Sequence, residues 1–343
     1  MTSADYSQIW AELEGEAGLK PHPAMVLRLL PGLPDGELHL GVSTPGNLRH
    51  LLIRMPDDWN EDTSDLPRWH GTRIQTRRGV ERPTPHAFLE IQQGQGSPAD
   101  VFEALVGDVC SAVAQRASGT GIEAAVTERL SRWKAFFDEG RFSGLGPEAQ
   151  QGLFGELWFL LKFAAPRVGF LTAIEAWTGS AHTHHDFQFP HHAFEVKSSV
   201  AKQHVKVHIA SERQLETLGV ESLNLVVLSF NVIQGGGEKL PDLVDGARGQ
   251  IPQGHPGVRS FDDKLLQAGY IAAHAGHYTT GYAFRSERTY LVSELFPRLR
   301  EKDLPVGVGD VAYTVMLSAC ESFRRPLETA LDEISSKATG GSP

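Results

Sequence analysis

The sequence predicts an α+β or α/β protein in which a β-rich N-terminal module and a helical stretch precede a core where strands and helices mix. Three observations predict it. Short apolar or alternating runs separated by Pro, Gly and Asp turns fill the stretch from Met25 to Ile91. Helical spacing of apolar residues dominates from about 99 to 165. From about residue 184 onward, strands and helices mix around one strongly apolar run, Leu223 to Phe230.

The elements follow in order. Ile9, Trp10, Leu13 and Ala17 recur at helical spacing, so residues 1–20 form a short amphipathic helix. Val26–Leu30, Glu37–Leu40, His50–Ile53 and Ala87–Ile91 are the antiparallel strands of the first module. Gln93-Gly94-Gln95-Gly96-Ser97-Pro98 is a turn or linker. Helices are expected at about 99–117, 122–139 and 148–165, then a hairpin at 184–198 and a strand at Val205–Ile209. Ser211 and Gln214 have capping-box spacing, which predicts a helix start. Leu223–Phe230 is a central strand, and Gly235-Gly236-Gly237 a loop. A helix or two, a strand pair near 279–293 and a β-rich end near 311–319 complete the chain. The expected domains are a β-rich module at 1–97, a helical connector at 98–147, a core at 148–335 and a breaker-rich tail at 336–343.

Composition narrows the function classes. With 41% hydrophobic and 22% charged residues, the 343-residue chain is neither disordered nor fibrous. It lacks an apolar run of the roughly 18 residues that a membrane helix needs. Its start has neither a basic segment nor an apolar stretch, so a cytoplasmic protein is expected. Two cysteines, Cys110 and Cys320, make neither a disulfide framework nor a cysteine-rich zinc site. The net charge of -10 argues against strong non-specific nucleic-acid binding. Five arginines nevertheless fall between Arg68 and Arg82. Arg73, Gln75 and Arg77 alternate there, which suits either a phosphate-contacting stripe or a charged strand edge. Neither a phosphate-binding G-x-x-x-x-G-K-[ST] loop nor a G-x-S-x-G elbow is present.

The chemistry concentrates in the predicted hairpin. Phe187, Phe189, Phe194 and Val196 form its apolar face, and Asp186, Gln188, Glu195 and Lys197 its polar face. With a turn at Pro190–Ala193, Phe189 pairs with Phe194 and Asp186 faces Lys197. Asp186 and Glu195 are then diagonal neighbours, roughly 7–8 Å apart at the backbone. Two carboxylates so placed can share a divalent cation such as Mg²⁺, which takes oxygen ligands and keeps several waters. Lys197, two residues after Glu195, can orient or activate a water or stabilise charge on a phosphate. An exposed hairpin face with an Asp186–Lys197 ion pair is the plain alternative.

Glu156 adds a second signal. It is the only charge between Gln151 and Leu161, with Leu153, Phe159 and Leu160 on its helical face. A buried carboxylate there needs a partner. Gly152 and Gly155 would admit another backbone close by.

In order, the segments are G-x-x-G-E-L at 152–157, Ala176-Trp177-Thr178-Gly179, His185-Asp186-Phe187, Phe194-Glu195-Val196-Lys197 and His208–Leu215. They resemble the PD-(D/E)XK nuclease superfamily, and within it the uncharacterised bacterial PD-(D/E)XK motif proteins. The resemblance covers roughly 140–320. It implies a restriction-endonuclease-like core with a mixed sheet flanked by helices, and Mg²⁺-dependent hydrolysis of DNA phosphodiesters, with Mn²⁺ able to substitute. It further implies a setting in restriction, phage defence or repair, with DNA and other subunits of such a system as partners. By the same resemblance Asp186 and Glu195 are the metal carboxylates, Lys197 the catalytic lysine and Glu156 the acidic residue of the preceding helix. Gln214 stands where some members carry a further polar active-site residue. His185 replaces the proline of the motif's name. A catalytically inactive DNA- or partner-binding subunit of a defence complex is the alternative.

Histidines also gather here: His182, His184, His185, His191 and His192. Imidazole nitrogens suit zinc, but the carboxylate pair makes Mg²⁺ the expected ion. His184 shares the Asp186 face and is a candidate phosphate contact. His208 projects from the following strand as a possible accessory residue, as do Arg73 and Arg77.

Overall fold

The computed structural model describes residues 3–30, 38–78, 87–115, 121–138, 140, 143–179, 185–252 and 254–338. The chain divides into two units, Met1–Ser143 with Ile271–Ala273, and Gly144–Tyr270 with His274–Pro343.

The first unit opens with helix α1 (Ser3–Gly18). Five strands follow, β1 (Ala24–Leu30), β2 (Leu38–Thr44), β3 (Leu48–Arg54), β4 (Thr72–Arg78) and β5 (Ala87–Gln93). They form an antiparallel sheet in the order β1-β2-β3-β5-β4. Alternation works as expected on one face, where Val26, Leu40, Val42, Leu51, Ile53 and Ile91 are buried. Trp10, Leu13 and Ala17 of α1 are completely buried, which gives that helix its core-facing stripe. Helices α2 (Ala99–Gln115) and α3 (Ile122–Asp138), read from the sequence as a connector, belong to this first unit.

The second unit begins with α4 (Pro147–Phe159), with proline in its first turn, where a missing N–H is harmless. It runs on through a π turn, Leu160–Ala164, into α5 (Ala165–Val168) and then α6 (Phe170–Ala176). Next come β6 (Phe187–Phe189), β7 (His192–Ser199), β8 (Lys206–Ile209), β9 (Ser222–Ile233) and β10 (Glu238–Lys239). Helices α7 (Leu240–Gln250) and α8 (Gly257–Gln267) precede β11 (Gly281–Leu291), β12 (Tyr313–Met316), β13 (Arg324–Arg325) and α9 (Leu327–Ala338).

The main sheet has the order β10-β11-β9-β7-β6, with β13 added on β11. The β7–β9 pair is parallel and the others are antiparallel, so this is a mixed sheet within an α+β fold. A parallel neighbour needs a crossover, and residues 200–221, with β8, supply it. β9 is buried on both faces. Val226, Leu228 and Phe230 join the core that holds α4 and α7, while Leu223, Leu225 and Val227 join a second core with β8 and β12. β8 and β12 pair with each other alone.

Two local expectations are corrected. The helix expected from Ser211 is a single 3-10 turn, Glu212–Leu215, with the Ser211 hydroxyl accepting from Arg213 N–H. Gln214 does not close a capping box, because its amide oxygen accepts from Ala210 N–H at 2.9 Å and from Lys197 instead. The strand pair expected near 279–293 is one strand, β11, with a bulge between Phe284 and Ser286. The 12-residue β9 gives it a partner along its whole length. Among the described residues, no helix is long and apolar enough to cross a membrane.

Candidate active site

The β6–β7 hairpin is tighter than the sequence reading had it. Phe189 pairs with His192 and Phe187 with Phe194. The turn is therefore Pro190-His191, and His191 takes a positive φ of 69°. The register differs by two residues from the expected one. A shift of two preserves the face of every side chain, so Asp186, Glu195 and Lys197 keep a common side. Asp186 now stands opposite Glu195, one step beyond the last paired residues, rather than opposite Lys197. Its Oδ2 accepts the N–H of Val196 at 2.7 Å, which leans the carboxylate onto β7.

Glu195 is completely buried. Lys197 Nζ lies 2.7 Å from its Oε1, but neither Glu195 oxygen receives a hydrogen bond of proper geometry. Lys197 Nζ donates to Gln214 Oε1 at 3.1 Å, so the 3-10 turn helps fix the ammonium. Glu156 enters from α4. That helix packs tightly on β7 because Gly155 has no side chain: a Cβ there would stand 1.7 Å from Ser198 Oγ. Of the two glycines expected to permit close approach, Gly155 does so, and Gly152 has open space beside it. Gln151 Nε2 donates to Ser198 O at 2.9 Å beside this contact.

A third segment holds Glu156 and Asp186 together. Trp177 Nε1 donates to Glu156 Oε2 at 2.8 Å. Thr178 and Gly179 N–H both donate to the backbone oxygen of Asp186, at 2.8 and 2.9 Å. A Cβ on Gly179 would meet Asp186 Oδ1 at 2.7 Å and Glu156 Oε2 at 3.0 Å, so both carboxylates border one small space.

Electrostatics follow from burial and crowding. Burial, then the neighbouring Asp186 charge, pushes Glu156 up to about 8, against the Trp177 hydrogen bond and Lys197. Burial and then Asp186 likewise push Glu195 up to about 8. Asp186 is also raised by burial, with Lys197 and the Val196 N–H opposing. Burial alone would lower Lys197, but Glu195, Asp186 and Glu156 together outweigh it and raise its pKa. Mutual repulsion of the carboxylates adds to these shifts, and desolvation exceeds it as a cause.

The remaining candidates fall elsewhere. His184 lies outside the described residues, as does His182. His208 is exposed on β8 and makes none of the contacts above. His185 is buried, with Nε2 2.9 Å from Glu216 O, and His192 Nδ1 is 2.9 Å from Ser222 Oγ. Arg73 and Arg77 belong to the first unit. Arg73 is exposed, while Arg77 Nε is bound to Glu90 at 3.1 Å. Trp177 and Gly179 were visible in the sequence as part of a motif, but no role was read from them.

Hard oxygen donors, two of them buried without hydrogen bonds, suit a divalent cation of the Mg²⁺ type. Among the described residues no three His, Cys, Asp or Glu side chains form a ready metal cluster. An ion held by two carboxylates and water is the arrangement these donors fit.

A family model described as "Putative PD-(D/E)XK family member, (DUF4420)" matches residues 6–318 and thus spans both units. Neither the curated proteins nor the solved structures contain a significant match. The chain belongs to that PD-(D/E)XK family.

Proposed function

We propose that this family member is a divalent-metal-dependent DNA endonuclease. One observation carries the reading: Glu195, wholly buried and, among the described residues, without a hydrogen bond of proper geometry on either oxygen, feels the charges of Asp186 and Glu156, with the Lys197 ammonium 2.7 Å from its Oε1. Fully ionised, these four groups leave two negative charges uncompensated, which a divalent cation would balance. Asp186 and Glu195 would hold the ion, with Glu156 beside them. The bound ion would polarise a phosphate oxygen and lower the pKa of a water.

The protein's own groups do the rest. Crowded by three carboxylates, Lys197 is an ammonium at neutral pH, which makes it a donor and not a base. Tied to Glu195 and Gln214, it orients a water and offsets charge growing on the phosphate. Glu195 and Lys197 alternate with Phe194 and Val196, whose packing in the core fixes both polar side chains on the opposite face. Mg²⁺ is the proposed ion, with Mn²⁺ as substitute. Restriction, phage defence or repair is the proposed setting.

A second reading, the same fold as a non-catalytic DNA- or partner-binding subunit, is favoured by the net charge of -10. Plasmid cleavage with Mg²⁺ or Mn²⁺ separates the two. The nuclease reading expects cleavage by wild type and none by Asp186→Ala or Lys197→Ala. Intact plasmid under all conditions, with no divalent ion bound in the millimolar range, would leave the subunit reading in its place.

A further inference from the structure

The segment Ala176-Trp177-Thr178-Gly179 joins α6 to the residues before the hairpin, and its contacts are unusually directed. Two bear on the carboxylates, the Trp177 indole N–H donating to Glu156 and the empty Cβ position of Gly179 lying between Glu156 and Asp186, and two hold the backbone, the Thr178 and Gly179 amides donating to the main-chain oxygen of Asp186. The Thr178 hydroxyl adds a bond to His185 O at 2.9 Å. A single bridge, Trp177 to Phe187, ties the segment to the start of β6.

The other side of the segment is anchored by α8. Lys264 Nζ donates to Ile174 O at 2.6 Å, to Glu175 O at 3.1 Å and to Trp177 O. These carbonyls lie at the C-terminal end of α6, where acceptors run short of intrahelical donors and a cation is favoured, although Ile174 O also accepts from Trp177 N–H at 3.1 Å. One turn earlier on α8, Phe261 is fully buried, with its ring centroid 6.0 Å from that of Trp177. One helix thus fixes both the backbone and the ring of the residue that holds Glu156.

We propose that Trp177 and Lys264 are positioning residues: Lys264 locks the end of α6, and Trp177 with its following amides sets Glu156 and Asp186 around the space that Gly179 leaves open. The inference rests on the metal-site reading above for its consequence, and on the hydrogen bonds alone for the lock itself. Nothing in the segment need touch substrate. Trp177 acts through Glu156, and Lys264 acts through Trp177.

The test uses the full chain and Mn²⁺ itself as the probe. Trp177→Phe keeps the ring and loses the N–H, while Lys264→Met keeps the stem and loses the donor. Calorimetric titration should show Mn²⁺ binding roughly tenfold weaker in Trp177→Phe, the scale seen when a partner of a metal ligand is removed. Amide hydrogen exchange on the metal-free protein should be at least about tenfold faster at Thr178 and Gly179 in Lys264→Met, with β7 and β9 unchanged. Lys264→Arg, which keeps a cation, should restore slow exchange. Wild-type affinity in Trp177→Phe, or wild-type exchange in Lys264→Met, would overturn the proposal. A wild type that binds no Mn²⁺ would instead overturn the functional reading, and the exchange data would still decide whether the lock exists.

Discussion

Glu90 in the first unit and Glu195 in the second are both completely buried glutamates on interior strands, yet their chemistry is opposite. Glu90 accepts from Gln75 Nε2 at 2.6 Å and Arg77 Nε at 3.1 Å, and its Oε1 lies 2.8 Å from His50 Nδ1. Burial works against it, but the bonds from His50, Gln75 and Arg77 prevail and hold it down at about 2. Among the described residues Glu195 has only the contact with Lys197, and burial with the Asp186 charge lifts it to about 8. A buried carboxylate with its acceptor sites filled is part of the scaffold. One left short of donors among other carboxylates is suited to a ligand.

The same contrast governs an arrangement that could mislead. Ser43 Oγ, His50 and Glu90 are linked by contacts of 2.8 Å, the order of contacts found in a serine hydrolase. Gln75 and Arg77 occupy the other carboxylate oxygen, so Glu90 is shared among three donors on neighbouring strands. The network ties β2, β3, β4 and β5 together.

The largest expected effect lies at the metal site. Lys197→Ala should lower plasmid cleavage about 10²–10⁴-fold, the usual range for a positioned group that handles a proton or water. Its Mn²⁺ affinity should be equal or tighter, because a neighbouring positive charge has gone. Asp186→Asn should instead weaken ion binding itself, with the Mn²⁺-induced rise in melting temperature diminished. Equal loss of ion binding in both variants would mean that Lys197 holds the site's shape, and the contrast with Glu90 would lose its meaning.

Next in size are two substitutions of opposite sign. Glu90→Ala strands His50 and Arg77 and should destabilise the first unit by about 2–4 kcal/mol. Glu195→Gln removes a charge that burial disfavours, so the metal-free second unit should gain stability relative to wild type as pH rises toward about 8. Urea unfolding with hydrogen exchange assigns each change to its unit. Destabilisation by Glu195→Gln would place Glu195 in the same class as Glu90.

The pH profiles should diverge for the same reason. Glu90 is depressed, so its contribution is complete above the unfolded value of about 4.5 and is lost as pH falls toward about 2. Glu156 and Glu195 are raised, so the native metal-free site keeps protons that the unfolded chain has released. The second unit should therefore lose stability as pH rises from about 4.5 to about 8 and level off beyond. Mn²⁺ should flatten that decline. Melting curves between about pH 5 and 9, with and without the ion, measure it.

Much of this was legible in the sequence because period-2 alternation is local. Phe187, Phe189, Phe194 and Val196 fixed which face Asp186, Glu195 and Lys197 share, even with the turn misplaced by two residues. The turn itself was not legible: a positive φ at His191 is a choice that residue type only weakly constrains. Glu156 stood out as the one charge in the apolar stretch between Gln151 and Leu161. Lys264 could not be linked to Trp177 from sequence, since about ninety residues and several elements separate them. Arg77 suited a phosphate contact or a charged strand edge equally, because its partner, Glu90, lies on another strand, and pairing across strands is not written in either strand alone.

The smallest effect expected tests how Glu156 is placed. Gly155 faces Ser198, and an added Cβ would stand 1.7 Å from its Oγ and 3.1 Å from its Cβ. Gly155→Ala must therefore push α4 away from β7 or rotate Ser198, an overpacking that costs about 1–3 kcal/mol. Ser198→Gly removes the obstacle, so the double variant should recover most of that stability. Ser198 Oγ is itself buried without a hydrogen bond, so its removal strands no partner. Glu156 is the next residue on α4, and any outward shift carries its carboxylate away from Asp186. Gly155→Ala should then weaken Mn²⁺ binding more than its stability loss implies, and the double variant should restore both. Recovery of stability without recovery of ion binding would show that Glu156 is placed by Trp177 alone, and that the close helix–strand contact serves packing only.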